Sequence, residues 1–460
     1  MSFRPAEIRP ATPGHHAAAF ERRVPRYTSY PTAPQFHRGV DRGLYRDWLA
    51  ALPAEMRTSL YLHIPFCDSM CWFCGCHTKI VRRYEPVAAY LENLLAEIEL
   101  VAEAVGRPQP VSHIHWGGGT PTMLSAPDTL RLTERLRERF AIEADAEFAV
   151  EIDPRDLPAE TVTALGRAGV NRASLGVQDV NPDVQAAINR IQPIEVTRLA
   201  VDRLRAAGVT AINIDIMYGL PHQTERHIQT TIDAVLTVAP ERLSLFGYAH
   251  LPNFKTHQRM IDEAALPDPE ARWRQFLSAA QRLQAEGYVW IGLDHFARPD
   301  DPLALAEAAG HLRRNFQGYT TDRASALIGL GASAIGQLPQ GYVQNAVPFH
   351  AYRDAVAGGR LAVTRGFALD DEDRLRRHVI ERLMCDLQVD LAAACRQFGR
   401  TENHFAAELD ILSGMGQDGM VEVAGTTLRI PAAARPLMRV VAAVFDAYLP
   451  RSTAIHARAV

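Results

Sequence analysis

Short apolar runs alternate along the chain with segments in which apolar residues recur every three or four positions. The first run, SLYLHI at 59–64, ends at Pro65 and predicts a buried strand. Six further runs predict strands at 111–116, 147–152, 171–177, 211–218, 242–248 and 288–293. The segments with helical periodicity lie between the strands, at about 86–105, 125–140, 158–168, 194–207, 225–238 and 269–286. This alternation predicts an α/β fold with a parallel sheet and helices outside it.

The number of repeats distinguishes two versions of this fold. Six or seven strand–helix repeats favour a partial (β/α)6-type barrel of parallel strands, and an open doubly wound sheet is the alternative. In both versions we expect the reactive groups in the loops that follow the C-terminal ends of the strands.

The regions on either side of residues 51–365 have different patterns. Residues 1–50 carry frequent prolines, which predict an irregular N-terminal arm. After residue 365 the alternation ends, and three helices, a two-strand pattern and a last helix are predicted at 371–387, 391–398, 403–412, 419–431 and 435–449. We therefore predict an arm at 1–50, a catalytic domain at 51–365 and a mostly helical, winged-helix-like C-terminal domain at 366–460.

Charge and hydropathy exclude several classes of function. The chain has 49 Lys and Arg against 53 Asp and Glu, a net charge of −4, and this balance argues against a nucleic-acid-binding surface. The sequence contains no window of about 18 apolar residues, the length that a membrane-spanning helix needs. The N-terminus lacks the apolar core of a signal peptide. We therefore expect a cytoplasmic monomer that binds neither nucleic acid nor a membrane.

Four of the six cysteines fall within ten residues, in the sequence HIPFCDSMCWFCGCHTK at 63–79. Cys67, Cys71 and Cys74 have the spacing CxxxCxxC, and three thiolates from one loop can hold three irons of a 4Fe–4S cluster and leave the fourth open. A zinc site is the alternative, but it usually takes pairs of ligands from different segments. Cys76 is a fourth ligand, a neighbour of the cluster, or neither.

The position of this loop, directly after the first strand, resembles the radical S-adenosylmethionine superfamily. Within that superfamily the chain resembles the oxygen-independent coproporphyrinogen III oxidases, because many separate motifs occur in order. These motifs are PRYTSYPTA (25–33), HWGGGTPT (115–122), VEIDP (150–154), SLGVQD (174–179), INR (188–190), NIDIMYGLPHQT (213–224), YAHLP (248–252), DHFARPDD (294–301) and RNFQGYTT (314–321).

The resemblance implies a reaction and its cofactors. The ligands of a 4Fe–4S cluster would be Cys67, Cys71 and Cys74, and the open iron would bind S-adenosylmethionine, which one electron cleaves to methionine and a 5′-deoxyadenosyl radical. The implied substrate is coproporphyrinogen III. Two of its propionates would be oxidatively decarboxylated to vinyl groups, giving protoporphyrinogen IX in heme biosynthesis. An electron donor similar to flavodoxin or ferredoxin and an electron acceptor are implied partners.

The resemblance also implies that two S-adenosylmethionine molecules bind in one site. One would contact Tyr61, Gly118, Glu151 and Ile335. The other would contact Phe73, Gly119, Thr120, Gln178, Arg190, Asp215 and Ala249. The residue types suit these roles, since glycines let the backbone approach a ligand and a strand-end carboxylate binds ribose hydroxyls. An arginine such as Arg190 binds a carboxylate through two nitrogens.

Two further features are candidates for substrate contact. Only Lys79 and Lys255 are lysines, and Lys79 lies close after the cysteines, so we predict that it holds a substrate carboxylate or tunes the redox potential. The alternative is that its position is accidental. Cys76 and Lys79 are therefore the candidate catalytic residues.

The four propionates of the implied substrate need a local group of basic residues despite the net negative charge. Arg26, Arg298, Arg313 and Arg314 are the candidates. We also predict that Arg26, Tyr27 and Tyr30, in a flexible arm, cover the substrate and keep water from the radical.

Three other functions remain open from the sequence. The first is a heme-binding chaperone of the same superfamily, and the second is a radical enzyme that acts on another substrate. The third is a zinc protein with a DNA-binding C-terminal domain. The motifs RYTSYPT and RNFQGYTT and the pair Gly75–Cys76 favour the oxidase over the chaperone.

Overall fold

The computed structural model describes residues 22–451 of the 460-residue chain. Residues 1–21 of the predicted arm and 452–460 of the predicted C-terminal domain lie outside this range. The described strands are β1 Thr58–Ile64, β2 Phe66–Cys67, β3 Lys79–Ile80, β4 Pro110–Gly118, β5 Ala141–Ile152, β6 Arg172–Gln178, β7 Ala211–Tyr218, β8 Arg242–Gly247, β9 Val289–Ile291, β10 His295–Ala297, β11 Arg313–Asn315, β12 Gly318–Thr320, β13 Ala326–Leu330, β14 Ile335–Leu338, β15 Gly341–Asn345, β16 Val363–Ala368, β17 Gln388–Asp390, β18 Glu422–Ala424 and β19 Thr427–Arg429. The described α-helices are α1 Arg42–Ala50, α2 Glu85–Val105, α3 Ala126–Arg139, α4 Ala159–Ala168, α5 Pro182–Ala187, α6 Ile194–Ala206, α7 Glu225–Leu236, α8 Pro269–Ala285, α9 Pro302–Ala308, α10 Phe349–Ala357, α11 Asp371–Asp386, α12 Leu391–Gln397, α13 Ala406–Gln417 and α14 Met438–Ala442.

The chain forms two compact units. The first, which we call the sheet unit, comprises Phe36–Leu266 and Asp322–Leu369. The second, which we call the composite unit, comprises residues 22–35 and 370–451 together with Pro267–Thr321. These units differ from the predicted domains. Residues 36–50 and 366–369 group with the sheet, and residues 22–35 and Pro267–Thr321 group with the C-terminal region.

The sheet unit contains a mostly parallel sheet with the strand order β16-β15-β14-β13-β1-β4-β5-β6-β7-β8. Strands β1 and β4 to β8 run parallel in sequential order, with helices in the connections, and β13 runs parallel to β1. Strands β14 to β16 extend the sheet in antiparallel fashion. Six consecutive parallel strands with helices in their connections confirm the prediction of a partial (β/α)6-type barrel.

Each parallel strand has an apolar face and a polar face. In β7, Ile212, Ile214 and Ile216 are fully buried, whereas Asn213 and Asp215 alternate with them and point to the opposite face. The strand register aligns the polar positions of neighbouring strands, for example Glu151 with Ser174 and Gly176 with Asp215. The polar face and its C-terminal edge therefore collect the groups that can do chemistry.

The segment GLGASAIG at 329–336 connects β13 to β14 by a close backbone approach. A Cβ on Gly329 would lie 2.6 Å from the carbonyl oxygen of Ile335. The buried carboxylate of Glu97 fixes this loop, since it accepts hydrogen bonds from the Gly331 N–H at 2.6 Å and from the Tyr352 hydroxyl at 2.7 Å. Helix α2, which carries Glu97, thus anchors the loop that contains Ile335.

The composite unit contains three small β-structures and most of the C-terminal helices. Its hairpins are β9–β10 and β11–β12, so the predicted strand at 288–293 is a short antiparallel strand and not a further parallel repeat. From residue 371 the order is α11, β17, α12, α13, β18 and β19, and the three strands pair as β17-β19-β18. This order of helices and strands is that of the predicted winged-helix-like module, with β17 as an additional strand.

The sequence reading was wrong for two helices. Helix α1 lies within the predicted irregular arm, where the Asp41 side chain accepts hydrogen bonds from Gly43 N and Leu44 N at its N-terminus. The predicted last helix, 435–449, is instead a short helix, α14, between two 3-10 turns. After Phe445 the N–H of Tyr448 bonds to the Asp446 carboxylate, so the backbone pattern of a helix is interrupted.

The segment RYTSYPT is not a flexible cover. Tyr27 and Tyr30 are 4% and 1% exposed. The Tyr27 hydroxyl donates to Asp446 at 3.1 Å, and the Tyr30 hydroxyl accepts from the N–H of Ala447 at 3.2 Å. Both tyrosines are therefore part of the core of the composite unit, which contradicts the prediction that they cover the substrate. Across residues 22–451, no helix is both long and apolar enough to cross a membrane.

Candidate active site

The cysteine loop is closed at its base by main-chain hydrogen bonds. Strands β2 and β3 pair in parallel, with Phe66 opposite Lys79 and Cys67 opposite Ile80. The Lys79 N–H donates to the carbonyl of Pro65 at 2.7 Å, and the Val81 N–H donates to the carbonyl of Cys67 at 3.0 Å. The residues between Cys67 and Lys79 therefore form a closed loop at the C-terminal end of β1.

The glycine turn after β4 packs directly against this loop. The Gly119 N–H donates to the carbonyl of Ile64 at 3.0 Å, and the Thr120 N–H donates to the carbonyl of Phe66 at 2.7 Å. A Cβ on Gly119 would lie 2.5 Å from the Phe66 carbonyl oxygen, which is closer than real side-chain carbons come. Only glycine allows this approach, and the two backbones are thereby held together.

The thiols of Cys67, Cys71 and Cys74 line one cavity but have different surroundings. Burial raises the pKa of Cys67 to about 12, and its sulfur accepts a hydrogen bond from the Thr120 hydroxyl at 3.5 Å. Hydrogen bonding from the Cys76 thiol lowers the pKa of Cys74. Within residues 22–451 no three His, Cys, Asp or Glu side chains are close enough to share one metal ion. The thiolates of a cubane each bind a different iron, so they do not need to meet at one point.

Two arginines and one aspartate surround Cys71. Arg155 and Arg190 each donate to the Cys71 sulfur at 3.4 Å. Arg190 also pairs with Asp153 through both terminal nitrogens, at 3.1 and 3.2 Å, and donates to the carbonyl of Gly176 at 2.7 Å. Burial alone would raise the pKa of Asp153, but the two guanidinium groups hold it below its usual value. The Nε of Arg190 is buried and has no hydrogen-bond partner among the residues described.

Glu151 is held in its ionised form at the end of β5. Its carboxylate accepts from the Gly118 N–H at 3.0 Å and lies 3.1 Å from the Nε2 of His115. Burial acts to raise the pKa of Glu151, but these partners keep it below the usual value. Tyr61 lies beside this group, since its ring stacks on His115 with the centroids 5.8 Å apart.

Asp215 behaves differently, although it lies on the same polar face. Burial raises its pKa, and the negative charge of Glu151 acts in the same direction. The Ser174 hydroxyl donates to it at 3.0 Å and the Asn213 amide at 2.8 Å. Of the three carboxyl groups that line the cavity, Glu151 and Asp153 therefore have a lowered pKa, and Asp215 has a raised one.

Most of the residues implied by the resemblance line the same cavity. They are Cys67, Cys71, Phe73, Cys74, Cys76, Gly118, Gly119, Thr120, Glu151, Gln178, Arg190 and Asp215. Tyr61, Ala249 and Ile335 do not line it. Tyr61 and Ile335 are neighbours of each other, because Tyr61 pairs with Gly329 in β13, the residue that the Ile335 carbonyl approaches.

The basic residues singled out in the sequence lie elsewhere. The Lys79 ammonium is 5.5 Å from the centre of the Phe349 ring and outside the cavity lining, whereas the other lysine, Lys255, donates to the carbonyl of Cys76 at 2.8 Å. Within the composite unit, Arg313 forms an ion pair with Glu381 at 3.2 Å.

The remaining candidate arginines also have contacts within the composite unit. Arg298 stacks on Tyr288 at 5.6 Å and Arg314 on Tyr319 at 4.3 Å. Arg314 donates to the carbonyl of Arg26 at 3.2 Å, and its Nε and Nη1 have no hydrogen-bond partner within the described part of the chain.

Sequence reasoning missed Asp153, Arg155 and Ser174, which line the cavity. Asp153 directly follows β5, and its position at a strand C-terminus was the one signal that could have identified it. Nothing in the local sequence indicates that Arg155 turns back to Cys71.

A cysteine loop after the first strand of an open (β/α)6-type sheet defines a class of protein. Residues 61–235 match the family model of the Radical SAM superfamily, and this stretch contains every residue that lines the cavity. The protein is a radical S-adenosylmethionine enzyme.

Comparison over the whole chain identifies the family. An oxygen-independent coproporphyrinogen III oxidase from Bradyrhizobium diazoefficiens is 52% identical over 440 residues, 96% of this chain and 98% of the relative. A relative of the same name from Paracoccus denitrificans is 46% identical and covers 93% of this chain and 95% of its own. The solved coproporphyrinogen III oxidase (HemN) of Escherichia coli superposes with a TM-score of 0.88 at 40% identity, covering 92% of this chain and 97% of that one. The chain belongs to the oxygen-independent coproporphyrinogen III oxidase family.

Enzymes of this class carry a 4Fe–4S cluster and bind S-adenosylmethionine, and the residues of the cavity fit both groups. Three thiols reach the cavity from one loop, as a cluster with an open iron requires. The buried Nε of Arg190 provides a donor for a carboxylate. Glu151 and Asp215 provide acceptors for hydroxyl or amino groups.

Replacement of Arg190 with lysine is expected to weaken the binding of S-adenosylmethionine roughly 10- to 150-fold. Lysine retains the charge but lacks Nε and the fork that pairs with Asp153, and the loss of one hydrogen bond to a charged group costs about 1.5–3 kcal/mol. Equilibrium binding to the reconstituted protein measures the effect. Arg172→Lys is the control, because Arg172 is buried in the same unit and pairs with Glu147 at 3.0 Å outside the cavity. Unchanged affinity in Arg190→Lys would contradict the assignment.

Proposed function

We propose that this protein converts coproporphyrinogen III to protoporphyrinogen IX without oxygen, by oxidative decarboxylation of two propionates. The observation that carries the proposal is the match to the named oxidases along nearly the whole chain, at 52% identity over 96% of its length. A match restricted to residues 61–235 would support only the class of enzyme.

When bound, the cluster and S-adenosylmethionine would supply radical chemistry: one electron would cleave the cofactor to methionine and a 5′-deoxyadenosyl radical that can take a hydrogen atom from the propionate carbon next to the ring. The substrate radical then loses carbon dioxide and one electron, and a vinyl group remains. The released electron requires an acceptor, and cleavage of the cofactor requires an electron donor similar to flavodoxin or ferredoxin. Each of the two propionates consumes one S-adenosylmethionine.

The protein's own groups bind and orient these reactants. Cys67, Cys71 and Cys74 would hold three irons, and the main-chain N–H of Cys76 donates to the Cys74 sulfur at 3.4 Å.

We further propose that two molecules of S-adenosylmethionine bind in this unit. The first would lie among Phe73, Gly119, Thr120, Gln178, Arg190, Asp215 and Ala249. The second would lie among Tyr61, Gly118, Glu151 and Ile335. The contact of Tyr61 with Gly329 and the stacking of Tyr61 on His115 support a common location for the second set.

The remaining parts of the proposal concern the setting of the enzyme. We propose a cytoplasmic monomer whose partners are the substrate and two electron carriers. Among the arginines, Arg314 is the best supported contact for a propionate, because two of its buried nitrogens have no partner within the described residues.

Anaerobic reconstitution with iron and sulfide, followed by reductant and S-adenosylmethionine, tests the proposed function. We expect 5′-deoxyadenosine to form, and we expect coproporphyrinogen III to lose two carboxyl groups as carbon dioxide, measured by mass spectrometry of the tetrapyrrole. Cofactor cleavage with an unchanged tetrapyrrole would indicate a radical enzyme for another substrate. Tight heme binding without any vinyl product would indicate a heme chaperone.

A further inference from the structure

The segment after β8 is attached to the cysteine loop by three side chains. Lys255 donates to the carbonyl of Cys76 at 2.8 Å, and the Nε2 of His257 donates to the carbonyl of Cys74 at 2.7 Å. Gln258 donates to the carbonyl of Phe73 at 3.0 Å. Three neighbouring residues therefore bind three main-chain carbonyls of the loop that presents the thiols.

Gln258 is the buried member of this group, and its side-chain amide is fully used. It is 1% exposed. Its Nε2 donates to the carbonyl of Ala249 at 3.2 Å as well as to that of Phe73, and its Oε1 accepts from the N–H of Leu251 at 2.5 Å. One amide thus links the cysteine loop to the loop that leaves β8.

The two carbonyls bound by Gln258 belong to Phe73 and Ala249, which are both assigned above to the same S-adenosylmethionine. The side chain of Phe73 packs on an apolar cluster that includes Tyr248, the neighbour of Ala249. The apolar contacts between the two loops are not directional, so they do not by themselves fix the separation of the two carbonyls. Hydrogen bonds at 3.0 and 3.2 Å from one rigid amide fix the separation of the two carbonyls.

We propose that Gln258 is a positioning residue that sets the distance between Phe73 and Ala249 and so shapes the binding site for S-adenosylmethionine at the open iron. Lys255 and His257 assist by holding the carbonyls of Cys76 and Cys74. The inference rests on the proposed assignment of Phe73 and Ala249 to the cofactor.

A leucine at position 258 would fill nearly the same space but would leave the carbonyls of Phe73 and Ala249 without this donor. We expect Gln258→Leu to weaken the binding of S-adenosylmethionine about tenfold, the effect of one lost hydrogen bond, while the three cysteines still take up a normal amount of iron and sulfide.

Gln109 provides a matched control. It is also fully buried, and its amide donates to the carbonyls of Pro53 at 2.8 Å and Met56 at 2.6 Å. It precedes β4, whereas Gly118 at the other end of β4 lines the cavity, roughly 30 Å away along the strand. Gln109→Leu, like Gln258→Leu, removes two hydrogen bonds from a buried amide to main-chain carbonyls of the same unit, but at a distance from the site.

The experiment compares the two reconstituted variants with the natural protein by iron and sulfide content, melting temperature, affinity for S-adenosylmethionine, and the electron paramagnetic resonance spectrum of the reduced cluster. We expect both variants to have a lower melting temperature than the natural protein. Only Gln258→Leu should show the lower affinity and an altered spectrum in the presence of S-adenosylmethionine. Equal affinities and equal spectra in the two variants would overturn the inference and leave Gln258 a purely structural residue.

A second variant guards against failure of Gln258→Leu to fold. The double replacement Lys255→Met and His257→Phe keeps the buried amide of Gln258 and removes the other two donors. We expect about a threefold loss of affinity for S-adenosylmethionine together with the change in the electron paramagnetic resonance spectrum. An unchanged affinity and an unchanged spectrum would overturn the assisting role of Lys255 and His257. If the natural protein and Gln109→Leu themselves show no spectral response to S-adenosylmethionine, the proposed function fails, and this result is distinct from failure of the inference about Gln258.

Discussion

Alanine in place of Cys67, Cys71 or Cys74, one at a time, is expected to leave the protein with little or no 4Fe–4S cluster and with no turnover. Each thiol lines the cavity and would bind a different iron, so the two that remain cannot replace the missing one. Iron and sulfide analysis after anaerobic reconstitution measures the loss of the cluster, and formation of 5′-deoxyadenosine measures the loss of cofactor cleavage.

Two other cysteines provide the comparison for this prediction. Cys385 is fully buried in the composite unit, and Cys385→Ala should lower the melting temperature but keep the cluster. Cys76 is exposed and lies outside the CxxxCxxC spacing, and we expect Cys76→Ala to keep the cluster. A full complement of iron in Cys71→Ala would contradict the ligand assignment.

Alanine at Gly119 is expected to have the second large effect. The new methyl group would lie 2.5 Å from the carbonyl oxygen and 2.8 Å from the nitrogen of Phe66, and both are backbone atoms that cannot rotate away. Overpacking of this kind costs about 1–3 kcal/mol of stability. The loop that holds the cysteines must also shift, and a displacement of about 1 Å in an active site can reduce turnover about 100-fold.

Measurements of melting temperature and turnover on the reconstituted enzyme check this second prediction. Gly414→Ala is the control, because this glycine lies inside helix α13 and an added Cβ there meets nothing within 4 Å. The control should be as stable as the natural protein or slightly more stable, since alanine favours a helix. Full activity of Gly119→Ala would mean that the close contact with Phe66 does not position the cysteine loop.

The parallel strands could be predicted because their sequence pattern is local. In β7 the alternation of Ile212, Ile214 and Ile216 with polar residues is visible in eight consecutive positions. The helices between the strands repeat with a helical periodicity of apolar residues. These two periodicities are sufficient to predict a sheet with outer helices, and the relatives and the structure confirm that fold.

The errors had two origins, one local and one in long-range contacts. The prolines before residue 35 argue against a helix in that region. The prediction of an irregular arm extended this argument too far, to α1. The N-terminal cap Asp41 and the spacing of the apolar residues Leu44, Tyr45, Trp48 and Leu49 are typical of a helix. Tyr27 and Tyr30 are buried against residues more than 400 positions away, and no local pattern indicates this.

In the candidate site, too, local features could be predicted from the sequence and contacts between distant positions could not. The thiols were predictable because Cys67, Cys71 and Cys74 lie within eight residues, and the remaining cofactor residues came from the resemblance of separate motifs. By contrast, the contact of Arg155 with Cys71 joins positions 84 residues apart, and that of Gln258 with Phe73 joins positions 185 apart. Such pairs become visible only when the sheet brings successive strand ends together.

The contact between Tyr27 and Asp446 has a consequence for folding during synthesis on the ribosome. The two residues are 419 positions apart, and a ribosome adding about 5–20 residues per second needs roughly 20 to 80 seconds to pass from one to the other. Throughout that time the aromatic residues near the start of the chain lack the partner that buries them, and the last strand of the sheet unit, β16, is complete before that partner is made. A nascent chain of this enzyme therefore exposes an apolar N-terminal segment until its synthesis is nearly complete, and during this interval it is a suitable substrate for a chaperone.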